Sequence, residues 1–148
     1  MADSEHVKVV MVTGTGDNAR VETPWAVPLG GSRFRLDNVL FYAYGVSLDD
    51  VIEATPEPDD ARPHFRHVVE KSGNRTVRVI ADDGKARVPA HVLEELVGLG
   101  CGYEGANPRY ICVNIPSRVD LDVVVTLLKE SKLRWEHADP TYEQLHRG

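Results

Sequence analysis

The sequence of 148 residues contains few cysteines, few aromatic residues and no long hydrophobic run. Two cysteines, Cys101 and Cys112, are too few for a disulfide framework, and they favour a reducing, cytoplasmic compartment. No apolar run approaches the roughly 20 residues that a membrane-spanning helix requires. The amino-terminal segment has no basic cluster before its apolar run, which is not typical of a secretory signal. These features predict a cytoplasmic globular protein without a membrane segment.

The charge balance is acidic, with 17 Lys and Arg residues against 23 Asp and Glu residues and a net charge of −6. An acidic protein repels phosphate backbones, so nucleic acid is disfavoured as a partner. An RNA-binding sheet would also need aromatic residues on its central strands, where the sequence offers only Tyr110. The same charge suits a basic protein partner.

The first half of the sequence alternates short apolar runs with turn residues, which predicts a β-rich unit over residues 1–74. The run Val7–Val12 predicts a buried strand, and Val21–Leu29, which contains prolines, predicts an edge strand. Gly30-Gly31 predicts a hairpin turn. Proline and aspartate in residues 55–66 predict a surface loop. We expect these strands to close into a small β-barrel-like unit.

The second half predicts alternating strands and helices over residues 75–139. The expected elements, in order, are a strand at Thr76–Ala81, a turn at Asp82-Asp83-Gly84, a helix at Pro89–Leu99, strands at Cys101–Glu104 and Arg109–Ile115, a helix at Arg118–Ser131 and a strand at Leu133–His137. Gly100 is placed to end the first helix, and Ser117 to cap the second. The order β-α-β-β-α-β is typical of the ferredoxin-like fold, and residues 140–148 are expected to be a polar tail. The predicted fold class is therefore α+β, a barrel-like unit followed by a ferredoxin-like unit.

Several segments of the sequence match a known family. The most specific are GVSLDDV at Gly45–Val51 and SGNRTVRV at Ser72–Val79. With these segments the chain resembles, from Trp25 to Trp135, a bacterial and largely actinobacterial family, the domain of unknown function DUF4265. The chain departs from the family at Leu40, where the family often has proline, which implies a different local bend. The resemblance implies no activity, cofactor or catalytic residue.

The usual patterns of catalytic and ligand-binding residues are missing from the sequence. No serine lies in a G-x-S-x-G elbow, and Cys101 follows a helix whose carboxyl-terminal dipole disfavours a thiolate. His64 and His67 would point to opposite faces of a strand, so they are not expected to share a metal ion. Gly14-Thr15-Gly16 lacks the third glycine and the Lys-Ser/Thr pair of phosphate-binding loops. We therefore expect no catalytic residue, no metal and no cofactor.

A polar set near the junction of the two halves is the strongest candidate binding surface. Its members are Asn38, Asp50, Ser72, Asn74, Thr76, Arg78 and Glu104. Crevices between structural units often hold ligands, so one interpretation is a recognition surface. The other interpretation is structural, with the amides and hydroxyls holding tight turns and Asp50 paired with Arg78 across the junction. Both interpretations are open from sequence alone.

These observations support several functional hypotheses. The first is a non-catalytic protein-interaction module, of the immunity, antitoxin or regulatory type, because the chain is small, acidic and without catalytic geometry. The second is a small-molecule sensor, in which ferredoxin-like sheets pair and bind a ligand at their interface. RNA binding, and an enzyme that uses Asp50 and Arg78 in the crevice, are the remaining alternatives. The expected partner is a protein, with a small molecule as the alternative, and the chain is expected to be a monomer or homodimer.

Overall fold

The computed structural model describes residues 6–81 and 86–146 of a chain that divides into two compact units, Met1–Ser72 and Gly73–Gly148. The fold is a mixed α+β arrangement in which strands outnumber helices. None of the helices in the described residues has the length and hydrophobicity needed to span a membrane.

The first unit consists of two antiparallel sheets. Its strands are β1 (Val7–Lys8), β2 (Met11–Thr13), β3 (Arg20–Glu22), β4 (Trp25–Gly30), β5 (Arg33–Leu36), β6 (Val51–Glu57) and β7 (Asp60–Glu70). The larger sheet has the order β1-β4-β5-β6-β7, and β2 pairs with β3 alone. Over residues 6–72 these strands form no closed barrel. The core of the unit consists of Val9, Met11, Ala26, Leu36, Leu40, Ala43, Val46, Ile52 and Ala54.

The predicted strand at Val7–Val12 is split in the structure, because its residues bond to different neighbours. β1 pairs with β4, whereas the Val10 amide donates to the carbonyl of Pro63 in β7 at 2.8 Å. The edge-strand prediction for Val21–Leu29 is also wrong, because β4 lies between β1 and β5. β1 reaches only the first two residues of β4, so Pro28, which has no amide hydrogen to donate, lies beyond that pairing.

The surface loop predicted within residues 55–66 is present only as a two-residue turn, because β6 and β7 form a hairpin there. Glu57 opposes Asp60, and the turn between them is only two residues long. The pairing register shifts between Thr55 and Glu57, which accommodates Pro56 within the strand. By contrast, the hairpin turn predicted at Gly30-Gly31 is confirmed, with φ angles of 111° and 59° that favour glycine.

The second unit places two helices on one face of a four-stranded antiparallel sheet. Its elements are β8 (Arg75–Ile80), α1 (Ala90–Leu99), β9 (Gly102–Asn107), β10 (Tyr110–Ile115), α2 (Leu121–Ser131), β11 (Arg134–Asp139) and α3 (Tyr142–Leu145). The strand order is β11-β8-β10-β9. Alternate residues of β8 and β10, including Val77 and Val113, pack with Leu96 of α1 and Leu128 of α2 to form the core.

The two helix ends predicted from capping residues have different outcomes. Gly100 ends α1 in the left-handed conformation, with φ 106°, as predicted. Ser117 does not cap α2, because the chain first makes a turn in which the Val119 amide donates to the Pro116 carbonyl at 3.0 Å. Asp120 caps the helix instead, accepting from the Asp122 amide at 2.9 Å.

The carboxyl-terminal segment is more ordered than a polar tail. α3 begins at Thr141 with a capping box, in which Thr141 and Gln144 each bond the other's backbone amide. The predicted turn at Asp82-Asp83-Gly84 lies outside the described residues.

Candidate functional site

Three of the seven predicted site residues lie in the first unit, and two of them are bonded directly. The Asp50 side chain is fully buried, and its Oδ1 accepts from the Ser72 amide at 2.8 Å. The Ser72 hydroxyl in turn donates to the Leu48 carbonyl at 2.7 Å. Asn38 lies apart from this pair, and its Oδ1 accepts from the Trp25 amide at 2.6 Å. All three side chains therefore bond to backbone groups of segments that are distant in the sequence.

Asp50 is the centre of a buried hydrogen-bond network. Its Oδ2 accepts from the Ser47 amide at 2.8 Å and from the Lys71 ammonium at 2.6 Å. The Lys71 side chain is 45% exposed, so the pair is buried on the carboxylate side only. The preceding Asp49 takes a left-handed φ of 68°, and the Asp50 carboxylate stabilises the turn that contains it.

The other four predicted residues lie in the second unit, and three of them are on its sheet. Thr76 and Arg78 are buried on the central strand β8, and Glu104 is exposed on the edge strand β9. Asn74 precedes β8 and is half-buried. Because Arg78 alternates with core residues, its side chain points to the sheet face opposite the two helices.

A row of polar side chains crosses the helix-free face of the sheet. The strand registers align Glu136 of β11 with Arg78, Arg78 with Cys112 of β10, and Cys112 with Glu104 of β9. Arg78 Nη1 lies 3.4 Å from Glu136 Oε2. The predicted Asp50–Arg78 ion pair stays a prediction, and within its own unit each of these two groups has an oppositely charged neighbour.

A cavity of about 430 Å³ opens on the same face of the sheet. Its walls are Arg78, Val79, Ile80, Tyr110, Arg134, Trp135 and Glu136. Two guanidinium groups, one carboxylate and a phenol therefore surround a space that belongs entirely to the second unit. Guanidinium groups recognise carboxylates and phosphates, so this cavity is suited to an anionic small molecule.

A larger concave surface, which the sequence analysis missed, lies between the two long helices. This α1–α2 groove has a volume of about 500 Å³ and is lined by Glu95, Leu99, Asp122, Val123, Thr126, Leu127 and Glu130. Leu99 is 36% exposed and Val123 is 45% exposed. Neither Leu99 nor Val123 is among the candidate site residues predicted from the sequence. A signal was present, because α2 carries more apolar residues than one buried stripe requires.

The rim of the α1–α2 groove is acidic. Glu95 projects from α1, whereas Asp122 and Glu130 project from the two ends of α2. Across residues 6–81 and 86–146, none of these three carboxylates forms an ion pair. The groove thus combines exposed apolar side chains with unneutralised negative charge.

A second apolar depression lies on the other side of α1. It has a volume of about 320 Å³ and is lined by Ala90, Leu93, Glu94, Val97 and Tyr103. Val97 is 55% exposed and Tyr103 is 41% exposed. Apolar surface therefore continues around α1 beyond the α1–α2 groove.

The cysteines and metal-ligating residues form no reactive centre in the part of the chain that the structure describes. Burial raises the pKa of the Cys101 thiol, and the nearby charges of Arg75 and Arg118 offset only part of that effect. Cys112 is fully buried on β10. Among the described residues, no three His, Cys, Asp or Glu side chains are grouped as a metal site.

Comparisons with known proteins place this geometry in a family. A family model described as a domain of unknown function (DUF4265) matches residues 22–137. A crystal structure described as a hypothetical protein from Neisseria gonorrhoeae is similar, with a TM-score of 0.79 and 18% sequence identity, over 95% of this chain and 99% of that chain. No curated protein is significantly similar to the chain. At 18% identity the likeness to the solved structure shows the fold alone.

Proposed function

The chain belongs to DUF4265, a domain of unknown function, and we propose that it is a non-catalytic protein-interaction module of the immunity, antitoxin or regulatory type. One observation carries this proposal, the exposed apolar floor of the α1–α2 groove. Exposed apolar side chains in a concave surface with a polar rim match the usual layout of protein interfaces, which have an apolar centre and a polar rim. The partner is therefore a protein that covers the outer faces of α1 and α2.

The apolar side chains of the groove supply a modest but useful binding energy. Fully burying a Val or Leu side chain contributes about 1.5–3 kcal/mol. Leu99 is 36% exposed and Val123 is 45% exposed. Covering this remaining exposed surface on binding contributes about 1 kcal/mol for each residue. A charged group at Val123 would remove this contribution and would also be buried without a partner. We therefore expect Val123→Asp to weaken binding by about tenfold or more.

The proposal is tested by affinity capture from the lysate of the host, with and without nuclease. We expect a protein that the wild type retains in both conditions and that Val123→Asp loses. Val21→Asp is the matched control, because Val21 is a similarly exposed valine on β3 in the first unit, at 62%. Equal retention by wild type and Val123→Asp contradicts the groove as the binding site. A partner lost with nuclease favours RNA binding instead, and capture of no protein contradicts the proposal.

The cavity at Arg78 favours a small-molecule sensor as the second candidate function. An anionic ligand between Arg78 and Arg134 would stabilise the folded chain by mass action. We expect carboxylate or phosphate metabolites to raise the Tm of the wild type and not of Arg134→Gln. Arg118→Gln is the matched control, because Arg118 is exposed and does not line the cavity. A Tm rise of equal size in Arg134→Gln, or no rise with any metabolite, contradicts this function.

The finer classification of the two units is also a proposal. The element order from β8 to β11 and the sheet order β11-β8-β10-β9 support a ferredoxin-like second unit. A barrel-like first unit is supported by the pairing of residues 7–10. Through β1 they pair with β4, and through Val10 they form a bridge to His64 of β7, so they contact both ends of the strand series β4-β5-β6-β7. A cytoplasmic location is supported by the low cysteine count, because two buried cysteines are too few for a disulfide framework.

A further inference from the structure

We infer that the α1–α2 groove binds an amphipathic helix of its protein partner, with an apolar face flanked by Lys or Arg residues. This inference rests on the proposed function and specifies the chemistry of the partner. It combines three features of the groove, namely its apolar floor, its walls formed by two helices, and its three carboxylates, which form no ion pair with the residues that the structure describes.

The walls of the groove favour a helical partner over an extended one. Both α1 and α2 satisfy their backbone groups within their own turns, so they offer no free edge to which a strand could pair. A segment pressed onto the apolar floor must then satisfy its own backbone hydrogen bonds. A helix does this without help from the groove.

The spacing of the floor residues suits the side-chain pattern of such a helix. Val123 and Leu127 are four residues apart on α2 and therefore lie one above the other on the same face. Leu99 provides apolar surface on the opposite wall, at the end of α1. Apolar residues at positions i, i+3 or i+4, and i+7 of a partner helix would cover this floor.

The rim selects the charge of the partner. Asp122 and Glu130 are eight residues apart, which corresponds to about 12 Å along α2. Together with Glu95 on α1, they place carboxylates on both walls. An uncharged apolar partner would desolvate these groups without compensation, whereas Lys or Arg residues about two turns apart would pair with them.

The same rim disfavours the other occupants of an apolar groove. A second copy of this chain would present the same carboxylates and a net charge of −6, so like charges would face each other. Phosphate backbones and anionic lipid headgroups are repelled for the same reason. A basic amphipathic segment is the occupant that matches both the floor and the rim.

The inference is tested with two synthetic model helices, each about 18 residues long so that a helix is stable enough to bind. One carries Leu on one face and Lys on the other, and its counterpart has Glu in place of every Lys. Their affinities for the full chain are measured by fluorescence anisotropy. We expect the Lys peptide to bind at least tenfold more tightly than the Glu peptide.

Charge reversal at the rim gives the sharper result. In the double variant Glu95→Lys with Glu130→Lys, we expect the preference to invert in favour of the Glu peptide. Asp59→Lys is the matched control, because Asp59 is exposed in the turn between β6 and β7 and does not line the groove. Circular dichroism and Tm of each variant establish that the fold is retained.

The outcomes separate this inference from the proposed function. Equal binding of the two peptides, a preference that charge reversal does not change, or no binding of the Lys peptide each overturns the inference. If the lysate partner still depends on Val123 in that case, the interaction module stands and the helix chemistry is wrong. If the Lys peptide binds as expected but no Val123-dependent partner is captured, the inference about the groove survives and the proposed function fails.

Discussion

The variant Asp50→Asn tests whether Asp50, the fully buried carboxylate of the predicted site, stabilises the fold. In the native protein both carboxylate oxygens accept hydrogen bonds, from the amides of Ser47 and Ser72 and from Lys71. An asparagine amide must turn its NH2 group toward one of these donors, which leaves a buried donor unpaired at about 1–3 kcal/mol. Lys71 also loses its ion pair, and because its side chain is 45% exposed this adds only about 1 kcal/mol.

The expected loss is therefore about 3 kcal/mol in the free energy of unfolding, or about 6–12 °C in Tm. Urea unfolding followed by circular dichroism measures it. Asp49→Asn is the matched control, because Asp49 pairs with Arg35 at the surface, where the side chains are 47% and 43% exposed. Asparagine also tolerates the left-handed φ of 68° at that position, so we expect a change within about 0.5 kcal/mol.

A double-mutant cycle with Lys71→Met measures how much of the loss in the free energy of unfolding comes from the Asp50–Lys71 ion pair. Lys71→Met keeps both amide hydrogen bonds to Asp50, so we expect a smaller loss than Asp50→Asn causes, and little further loss in the double variant. A loss below about 1 kcal/mol for Asp50→Asn would refute the reasoning that the buried network stabilises the fold. In that case Asp50 returns as a candidate for ligand binding.

Three further predictions follow from the second unit. Gly100→Ala should lower the free energy of unfolding by about 1–2 kcal/mol, because φ is 106° and a Cβ would lie 3.2 Å from Val119 Cγ2. Gly98→Ala, inside α1, should instead raise it by about 0.5–1 kcal/mol, and urea unfolding measures both changes. Asp120→Ala should lower the free energy of unfolding by about 1 kcal/mol in the same assay, because it removes the cap of α2. Ser117→Ala should lower it by less than about 0.5 kcal/mol. The reverse order would contradict the assignment of the α2 cap. Burial lowers the pKa of His137, and the charges of His146 and Lys129 lower it further. Near the usual histidine pKa the unfolded chain therefore binds more protons than the folded chain. The free energy of unfolding should fall as the pH drops through that range. His137→Gln should flatten the dependence of the urea midpoint on pH between about 5 and 7, and an unchanged slope would contradict the shift.

Local sequence patterns predicted the second unit better than the first. Helical periodicity and Gly100 located α1, and alternation located β8, because these depend on residues close together in the chain. The errors in the first unit arose where pairing across the sheet overrides local preference. Residues 55–66 contain three prolines, yet β6 and β7 pair through them with shifts of register, and no local pattern specifies those shifts.

The candidate site was harder to predict than the fold. The candidate residues chosen from the sequence are all polar, whereas the floor of the α1–α2 groove is apolar. The side chains of Asn38, Asp50 and Ser72 bond to backbone groups of distant segments, and Asp50 also bonds to Lys71, so these polar residues help to hold the fold. Helical periodicity does not distinguish a second exposed stripe from a wide buried one, so it could not show that Val123 and Leu99 are exposed. Only the packed helices reveal which apolar residues remain uncovered.

The distribution of paired charges strengthens the argument for a basic partner. In the first unit, Arg33, Arg35, Arg62 and Arg66 each lie within 4 Å of a carboxylate, at 3.9, 3.5, 2.7 and 2.6 Å. Acids that are paired in this way contribute little to the field that a partner meets. Among the described residues, the three carboxylates of the α1–α2 groove have no such ion pair, and they lie beside apolar surface. Association at the groove should therefore weaken with added salt if the partner is basic.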